Sequence, residues 1–366
     1  MARFVNPDNS AFQISLNSEI YVDKSELIKY TNSIIETSDA YICDSRPRRF
    51  GKSYAANMLS AYYSKGADSF EMFRDLKIGS DTGFKQYLNR YDVIQIDVQW
   101  FISVCNCRSE IVSYISSIVI EELRKVYPDA VNDSIYFLSN VLSQIYEKTG
   151  NRFVVIIDQW DAVLRDSAFS EIEKSEYIHF IQSLVGGLEP SKYIALAWLT
   201  EILPVKEENN FLLNNFHQFT MLNSGPLAQF KGFTEDEVSK LCLRYHQDFS
   251  LMKKWYGGYL LNGYELFCPK AVCSHLCFYR FNCYWSSTAS YEVITDLLSM
   301  NGKGLETVIK EILAGTEVRV SVIDTNTCKD VLNYLVHLGY LGFDENRNTV
   351  FVPNEDVRNS WLAATQ

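Results

Sequence analysis

The run Arg46-Pro47-Arg48-Arg49-Phe50-Gly51-Lys52-Ser53, directly after the apolar stretch Ala40-Tyr41-Ile42-Cys43, constrains this chain more than any other feature. It reads as a strand, a tight turn, Gly-Lys-Ser, and then the helix-forming stretch Tyr54-Ala55-Ala56-Asn57-Met58-Leu59. A turn of that kind suits a phosphate. Gly51 lets backbone N–H groups approach phosphate oxygens with no side chain in the way. Lys52 supplies a cation for the β- and γ-phosphates, and the Ser53 hydroxyl is a ligand for Mg²⁺. The helix that follows presents its N-terminus to the same anion. The full pattern also asks for a glycine five residues before Gly51, where this chain has Arg46. Gly-Lys-Ser alone arises easily by accident; its place between an apolar strand and a helix, with an acidic strand downstream, is what makes it specific. The bland alternative is a basic surface turn ahead of a helix.

That downstream strand is Phe153-Val154-Val155-Ile156-Ile157-Asp158, an apolar run ending in a carboxylate. A strand of this form holds the Mg²⁺ of a P-loop ATPase; the alternative is a buried strand that merely ends in Asp. The next residue usually carries the negative charge that polarises the attacking water, and here it is Gln159. An amide can hold a water but cannot accept its proton at neutral pH. Gln159 therefore predicts nucleotide and Mg²⁺ binding with slow or absent hydrolysis. Asp161 is a conceivable substitute, although it lies beyond the strand end and points elsewhere.

Around these motifs the first half of the chain alternates β-rich runs with amphipathic helices. Strands are expected at Ala40 to Asp44, Asp92 to Val98, Phe153 to Asp158, Tyr193 to Thr200 and Gln218 to Leu222. Helices are expected at Lys52 to Ser64, Ser109 to Tyr127, Ser134 to Thr149 and Ser170 to Gly186. Strands apolar on both faces imply an α/β fold, a parallel sheet with helices on both faces and ligands at the strands' carboxyl ends. The Gly51 loop, Asp158 and Thr200 all fall at such ends. From about Gly232 the alternation stops. Thr234-Glu235-Asp236-Glu237 carries a helix-start signature, with a helical segment through Lys254. Trp255-Tyr256-Gly257-Gly258-Tyr259 reads as a turn with aromatic flanks. A helix from Thr327 to Leu338, then Tyr340 to Phe343, a polar turn at Asp344 to Asn348 and Val350-Phe351-Val352, resembles a winged helix. The expected division is a P-loop ATPase-like domain over 1–228, a helical lid over 229–300 and a small winged-helix-like domain over 301–366.

Composition narrows the function classes. A length of 366 residues exceeds one small core, and 47% hydrophobic with 22% charged residues is ordinary for a globular protein. The net charge of −11, and the acidic balance of the winged-helix-like segment, argue against nucleic acid as a partner. No apolar run nears the ~20 residues that span a bilayer, and the start lacks a signal peptide's apolar segment, so a cytoplasmic protein is expected. Nine cysteines without an export signal imply reduced thiols. Cys268, Cys273, Cys277 and Cys283, with His275 among them, lack the paired spacing of a structural zinc site and read as packing.

Taken with Leu199-Thr200-Glu201-Ile202-Leu203-Pro204-Val205-Lys206, these motifs make the chain resemble the bacterial AAA-ATPase-like family, whose members typically carry a PD-(D/E)XK nuclease-like domain at the C-terminus. Further matches in family order are Tyr21-Val22-Asp23-Lys24-Ser25, Leu213-Asn214-Asn215-Phe216, Thr220-Met221-Leu222, Gly232 to Val238, Trp255 to Tyr259, Tyr284-Trp285-Ser286-Ser287-Thr288 and His337 to Leu341. In that family the loop commonly reads Arg-Pro-Arg-Arg-Phe-Gly-Lys-Ser, so Arg46 is no defect. The resemblance implies ATP and Mg²⁺ as cofactors. Arg46, Arg48, Arg49, Gly51, Lys52, Ser53 and Tyr54 form the nucleotide-binding set, and Ser53 and Asp158 lie on the metal side. Arg48 and Arg49 either touch phosphate or hold the loop. Thr200 stands where a polar sensor of the γ-phosphate is implied, or is a strand-end residue bonding backbone. Arg165 is either an arginine completing the site or a surface ion-pair residue.

Three departures bear on activity. Gln159 replaces the family's usual Glu. Glu201 replaces its usual Gly, which is expected to place a carboxylate near the phosphates. The chain stops at Gln366 with no Asp…Glu-x-Lys constellation, so nuclease activity is not expected. The leading expectation is an ATP·Mg²⁺-binding module acting as a conformational switch. The alternative is a degenerate nucleotide fold serving as a protein-interaction scaffold. A protein partner, or self-association, is expected through the aromatic-rich C-terminal half.

Overall fold

Four largely apolar runs, rich in the β-branched and aromatic side chains that suit a pleated buried surface, join the short polar stretch His217–Phe219 as the strands of one sheet. They are β1 (Tyr41–Ser45), β2 (Asp92–Asp97), β3 (Phe153–Asp158), β4 (Ile194–Glu201) and β5 (His217–Phe219), in the order β2-β3-β4-β1-β5. The computed structural model describes residues 3–132, 136–204, 214–285, 302–319 and 326–364. Parallel pairing joins β2 to β3 and β3 to β4. Every residue of β3 and of β4 is buried, as a covered parallel strand requires. The register sets Asp97 opposite Asp158, so two strands end in carboxylates at the same level.

Helix Lys52–Tyr63, which follows the Gly51 turn, packs against β2, β3 and β4. Helix Glu171–Val185 opens on a capping box in which Ser170 and Glu173 satisfy each other's backbone N–H groups. Helix Leu138–Thr149 closes on Gly150 at φ +72°. The alternation expected from sequence is thus present, with two shortened strands. β2 stops at Asp97 because that carboxylate caps a helix, Val98–Val104, by accepting the Trp100 N–H at 3.1 Å. β5 stops at Phe219 because the Thr220 hydroxyl accepts the N–H groups of Leu222 and Asn223 and turns the chain.

The chain divides into two compact units, residues 1–44 with 52–218, and residues 45–51 with 219–366. In the second, the Thr234–Glu237 capping box starts helix Glu235–Arg244, followed by helix Phe249–Tyr256. The aromatic pair Trp255-Tyr256 completes that helix, and only Gly257 and Gly258 make the turn into β7 (Tyr259–Leu261). With β6 (Phe233–Thr234) and β8 (Tyr264–Phe267) it forms a sheet ordered β6-β8-β7. Helix Gly302–Leu313, β9 (Val318–Arg319), helix Asn326–Leu338, the hairpin of β10 (Gly342–Asp344) and β11 (Thr349–Phe351), and helix Glu355–Ala364 follow. That order is winged-helix-like, and β9 pairs with β11. No helix among the described residues is long and apolar enough to cross a membrane. Ser134, Val205, Lys206, Leu213 and Ser286 to Thr288, which belong to the elements and motifs read above, lie outside the described residues.

Candidate functional site

At the carboxyl end of β3 the backbone leaves the strand through Gln159, whose φ of +55° is left-handed. A non-glycine residue holds that conformation only where its surroundings over-determine it. Here β4 does so. The Thr200 hydroxyl donates to Asp158 Oδ1 and accepts the Gln159 N–H at 3.0 Å. The Thr200 carbonyl accepts the Trp160 N–H at 3.0 Å. The Trp160 indole N–H donates to Glu201 Oε2 at 2.8 Å. Asp161 Oδ2 accepts from the N–H groups of Ile202 at 3.1 Å and Leu203 at 3.3 Å. Four consecutive residues after the apolar run are therefore fastened, each in turn, to the neighbouring strand end.

This fastening changes what several sequence candidates can do. A hydroxyl has one proton, and that of Thr200 is committed to Asp158. Glu201 is fully buried and accepts the Trp160 indole N–H. Its charge also acts on the buried Cys43 thiol, whose pKa is pushed up by burial first and by Glu201 second. The carboxylate of Asp161, the conceivable substitute for the missing glutamate, is taken by two amides and by Arg165. The Arg165 Nε lies 2.6 Å from Asp161 Oδ2, so its guanidinium is engaged in an ion pair four residues back along the chain.

Sequence reasoning passed over Asp97. It closes β2 as Asp158 closes β3, and the signal was similar but weaker: Val93-Ile94-Gln95-Ile96 is a mostly apolar run, broken by Gln95, that leads into Asp. The expected strand ran one residue too far and hid it. Burial pushes the Asp97 carboxyl above its usual range; the Trp100 N–H opposes that, and the charge of Asp158 adds to it.

The turn at residues 46–50 is two-sided. Arg46, Pro47 and Phe50 are buried, while Arg48 and Arg49 are exposed. The Arg46 Nη1 donates to the carbonyls of Ser45 at 2.7 Å and Phe219 at 3.0 Å, so this guanidinium serves main-chain acceptors of its own unit. Arg49 has φ +70° and Gly51 φ +88°, and a Cβ at Gly51 would find no atom within 4 Å. Glycine is needed there for backbone conformation, and the space a side chain would fill stays open. In the helix that begins at residue 52, Lys52 is buried and Ser53 and Tyr54 are exposed. Among the described residues no group of three or more His, Cys, Asp or Glu is placed to hold a metal. The His275 Nε2 lies 3.0 Å from Gln247 Oε1.

A family described as Predicted AAA-ATPase matches residues 10–211, which take in the Gly51 loop, Asp158 and Thr200. The chain belongs to that family. Its sheet is the parallel α/β sheet of a P-loop ATPase. No curated protein matches this AAA-ATPase. Among solved structures it is similar to the Aeropyrum pernix ORC2 protein in ADPNP–ADP complexes, at 12% identity and TM-score 0.36, over 98% of this chain and 93% of that one. It is also similar to the Aeropyrum pernix ORC1 protein in complex with DNA, at 10% identity and TM-score 0.33, over 98% of this chain and 97% of that one. In this AAA-ATPase the winged-helix-like residues lie beyond the matched segment.

Proposed function

We propose that this AAA-ATPase binds ATP with Mg²⁺ and uses the bound nucleotide as a conformational switch, with hydrolysis limited by Gln159. The observation that carries it is Gly51, held left-handed with open space on its Cβ side and followed at once by a helix beginning Lys52-Ser53. Main-chain amides of the turn and the Lys52 ammonium take the phosphates, and exposed Arg48 and Arg49 add positive charge. Ser53 and Asp158 are hard oxygen donors, the kind Mg²⁺ takes while keeping most of its waters, so the donor set fits that ion. Mg²⁺, when bound, neutralises phosphate charge. Asp158 enters that role as a carboxylate already oriented by the Thr200 hydroxyl. Gln159 stands where a base would be, and its amide takes no proton.

Titration calorimetry with ATP·Mg²⁺ on the parent chain and on Lys52→Ala tests this directly. Binding in the parent and a loss of about 100-fold or more in the variant, about 2.7 kcal/mol, is the expected result. Equal heats in both, or none in the parent despite a cooperative melt, would overturn it and leave a nucleotide fold that serves only as an interaction scaffold.

A further inference from the structure

We propose that Phe50 is the positioning residue of the phosphate loop, an aromatic anchor through which the packing of residues 219–366 sets the conformation of the turn at residues 48–51. The proposal rests on nucleotide binding at that loop and adds what holds the loop ready.

The turn carries two left-handed residues, Arg49 and Gly51, and turns Arg48 and Arg49 outward. Such a backbone is not self-sustaining, since Arg49 is strained and Gly51 is the most mobile residue type. What restrains it lies on its inner side. The fully buried Phe50 ring stands edge-on to Tyr259, with centroids 5.2 Å apart and planes at 89°. It stands edge-on to Trp285 as well, at 6.4 Å and 78°. Its carbonyl accepts the Gly232 N–H at 3.1 Å. A Cβ at Gly232 would come within 3.2 Å of the Phe50 ring, so the absence of a side chain there is part of the seat. Pro47 is seated in the same way: a Cβ on Gly339 would stand 3.0 Å from the Pro47 Cγ and 2.6 Å from the Trp285 ring.

The seat is itself braced. The Tyr259 hydroxyl donates to the Gly339 carbonyl at 2.9 Å, and the Trp285 N–H donates to both oxygens of Asp356 at 3.1 and 3.0 Å. Trp285 meets Tyr340 at 6.1 Å, and Tyr340 meets Trp361 at 6.0 Å. A ring-to-ring series thus runs from the loop to the last helix. Edge-to-face aromatic pairs are directional, so loosening one ring of the seat releases Phe50. A loop that is competent only a tenth of the time binds its ligand about tenfold more weakly, which is the size of effect to look for.

The experiment measures ATP·Mg²⁺ affinity and the unliganded melting temperature for the parent, Phe50→Ala, Phe50→Leu, Tyr259→Leu and Tyr259→Phe. Tyr259 lies outside the set of residues proposed to touch the nucleotide. We expect Phe50→Ala and Tyr259→Leu to weaken binding about tenfold at temperatures well below their melts, with Phe50→Leu and Tyr259→Phe retaining most of it. Amide exchange of residues 48–53 should rise in Phe50→Leu while that of β3 stays unchanged, a readout that survives if the alanine variant does not fold. Affinities within twofold of the parent in every folded variant, with unchanged loop exchange, would overturn the anchor. If Lys52→Ala still abolishes binding in that case, the anchor alone fails. Should the parent not bind ATP, nucleotide binding and the anchor fail together.

Discussion

The end of β3 and the turn before Gly51, which belong to different units of the chain, are held by opposite means. The end of β3 is fastened to the end of β4 by a series of directed hydrogen bonds, from Thr200 with Asp158 and Gln159 through to Asp161 with Ile202 and Leu203. The turn before Gly51 is held by packing, with Phe50 against Tyr259 and Trp285 and Pro47 beside Gly339. Hydrogen bonds at buried strand ends fix a carboxylate in one orientation, because an unpartnered alternative is costly. Aromatic packing fixes a surface turn less rigidly and lets it yield when the packing changes. A rigid strand end and a more compliant turn are the combination that the proposed switch would use.

Four measurements would break or sharpen that contrast. If the β3 end is complete apart from a proton acceptor, Gln159→Glu should raise ATP turnover by about 100-fold or more, the scale of a positioned general base. No gain would show that residue 159 is not the deficit. Thr200→Val should cost about 2 kcal/mol in denaturant unfolding, because it strips partners from the Asp158 carboxylate and the Gln159 amide, whereas Thr200→Ser keeps them. Equal stability of the two variants would mean that the strand end does not depend on the hydroxyl.

The packed side should respond to pH through two buried groups next to its anchors. His337 has its pKa lowered to about 4 from 6.5, by burial and then by the Arg46 charge. Between those values the unfolded chain binds more protons, so this group makes stability rise with pH. Asp356, which holds the Trp285 N–H, is raised to about 7 from 3.8, chiefly by burial. There the folded chain binds more protons, so stability falls as pH rises. The two oppose each other across the shared interval. Asp356→Asn should leave the rise across pH 4 to 6.5, and His337→Gln the fall between about pH 4 and 7, each at most about 1.4 kcal/mol per pH unit. Melts insensitive to pH in both variants would refute this. The smallest effect is expected for Gly51→Ala, about 1 kcal/mol of backbone strain with no steric clash. A much larger loss would show the turn to be more tightly held than its packing implies.

Much of the site was legible because its chemistry is local. Gly51-Lys52-Ser53 and the run ending at Asp158 announce a loop and an acidic strand wherever they occur, and Ser170 to Glu173 announces a helix start by its own hydrogen bonds. Strand limits were less legible: Val98 belongs to a helix because Asp97 caps it, and Thr220 ends β5 by a side-chain turn. The partners of Glu201 and Asp161 were hidden, since each depends on what a segment distant in sequence brings alongside. Phe50 was read as part of a motif with no task of its own.

By itself, the order of residues determined the fold class and the positions of the loop and the acidic strand, because hydrophobic period and turn chemistry act over a few neighbours. Only the tertiary structure decided that the Thr200 hydroxyl bonds Asp158, that Glu201 is buried against Trp160, and that Phe50 is gripped by residues more than two hundred positions away. Those outcomes come from strand register and side-chain packing, which no local pattern encodes.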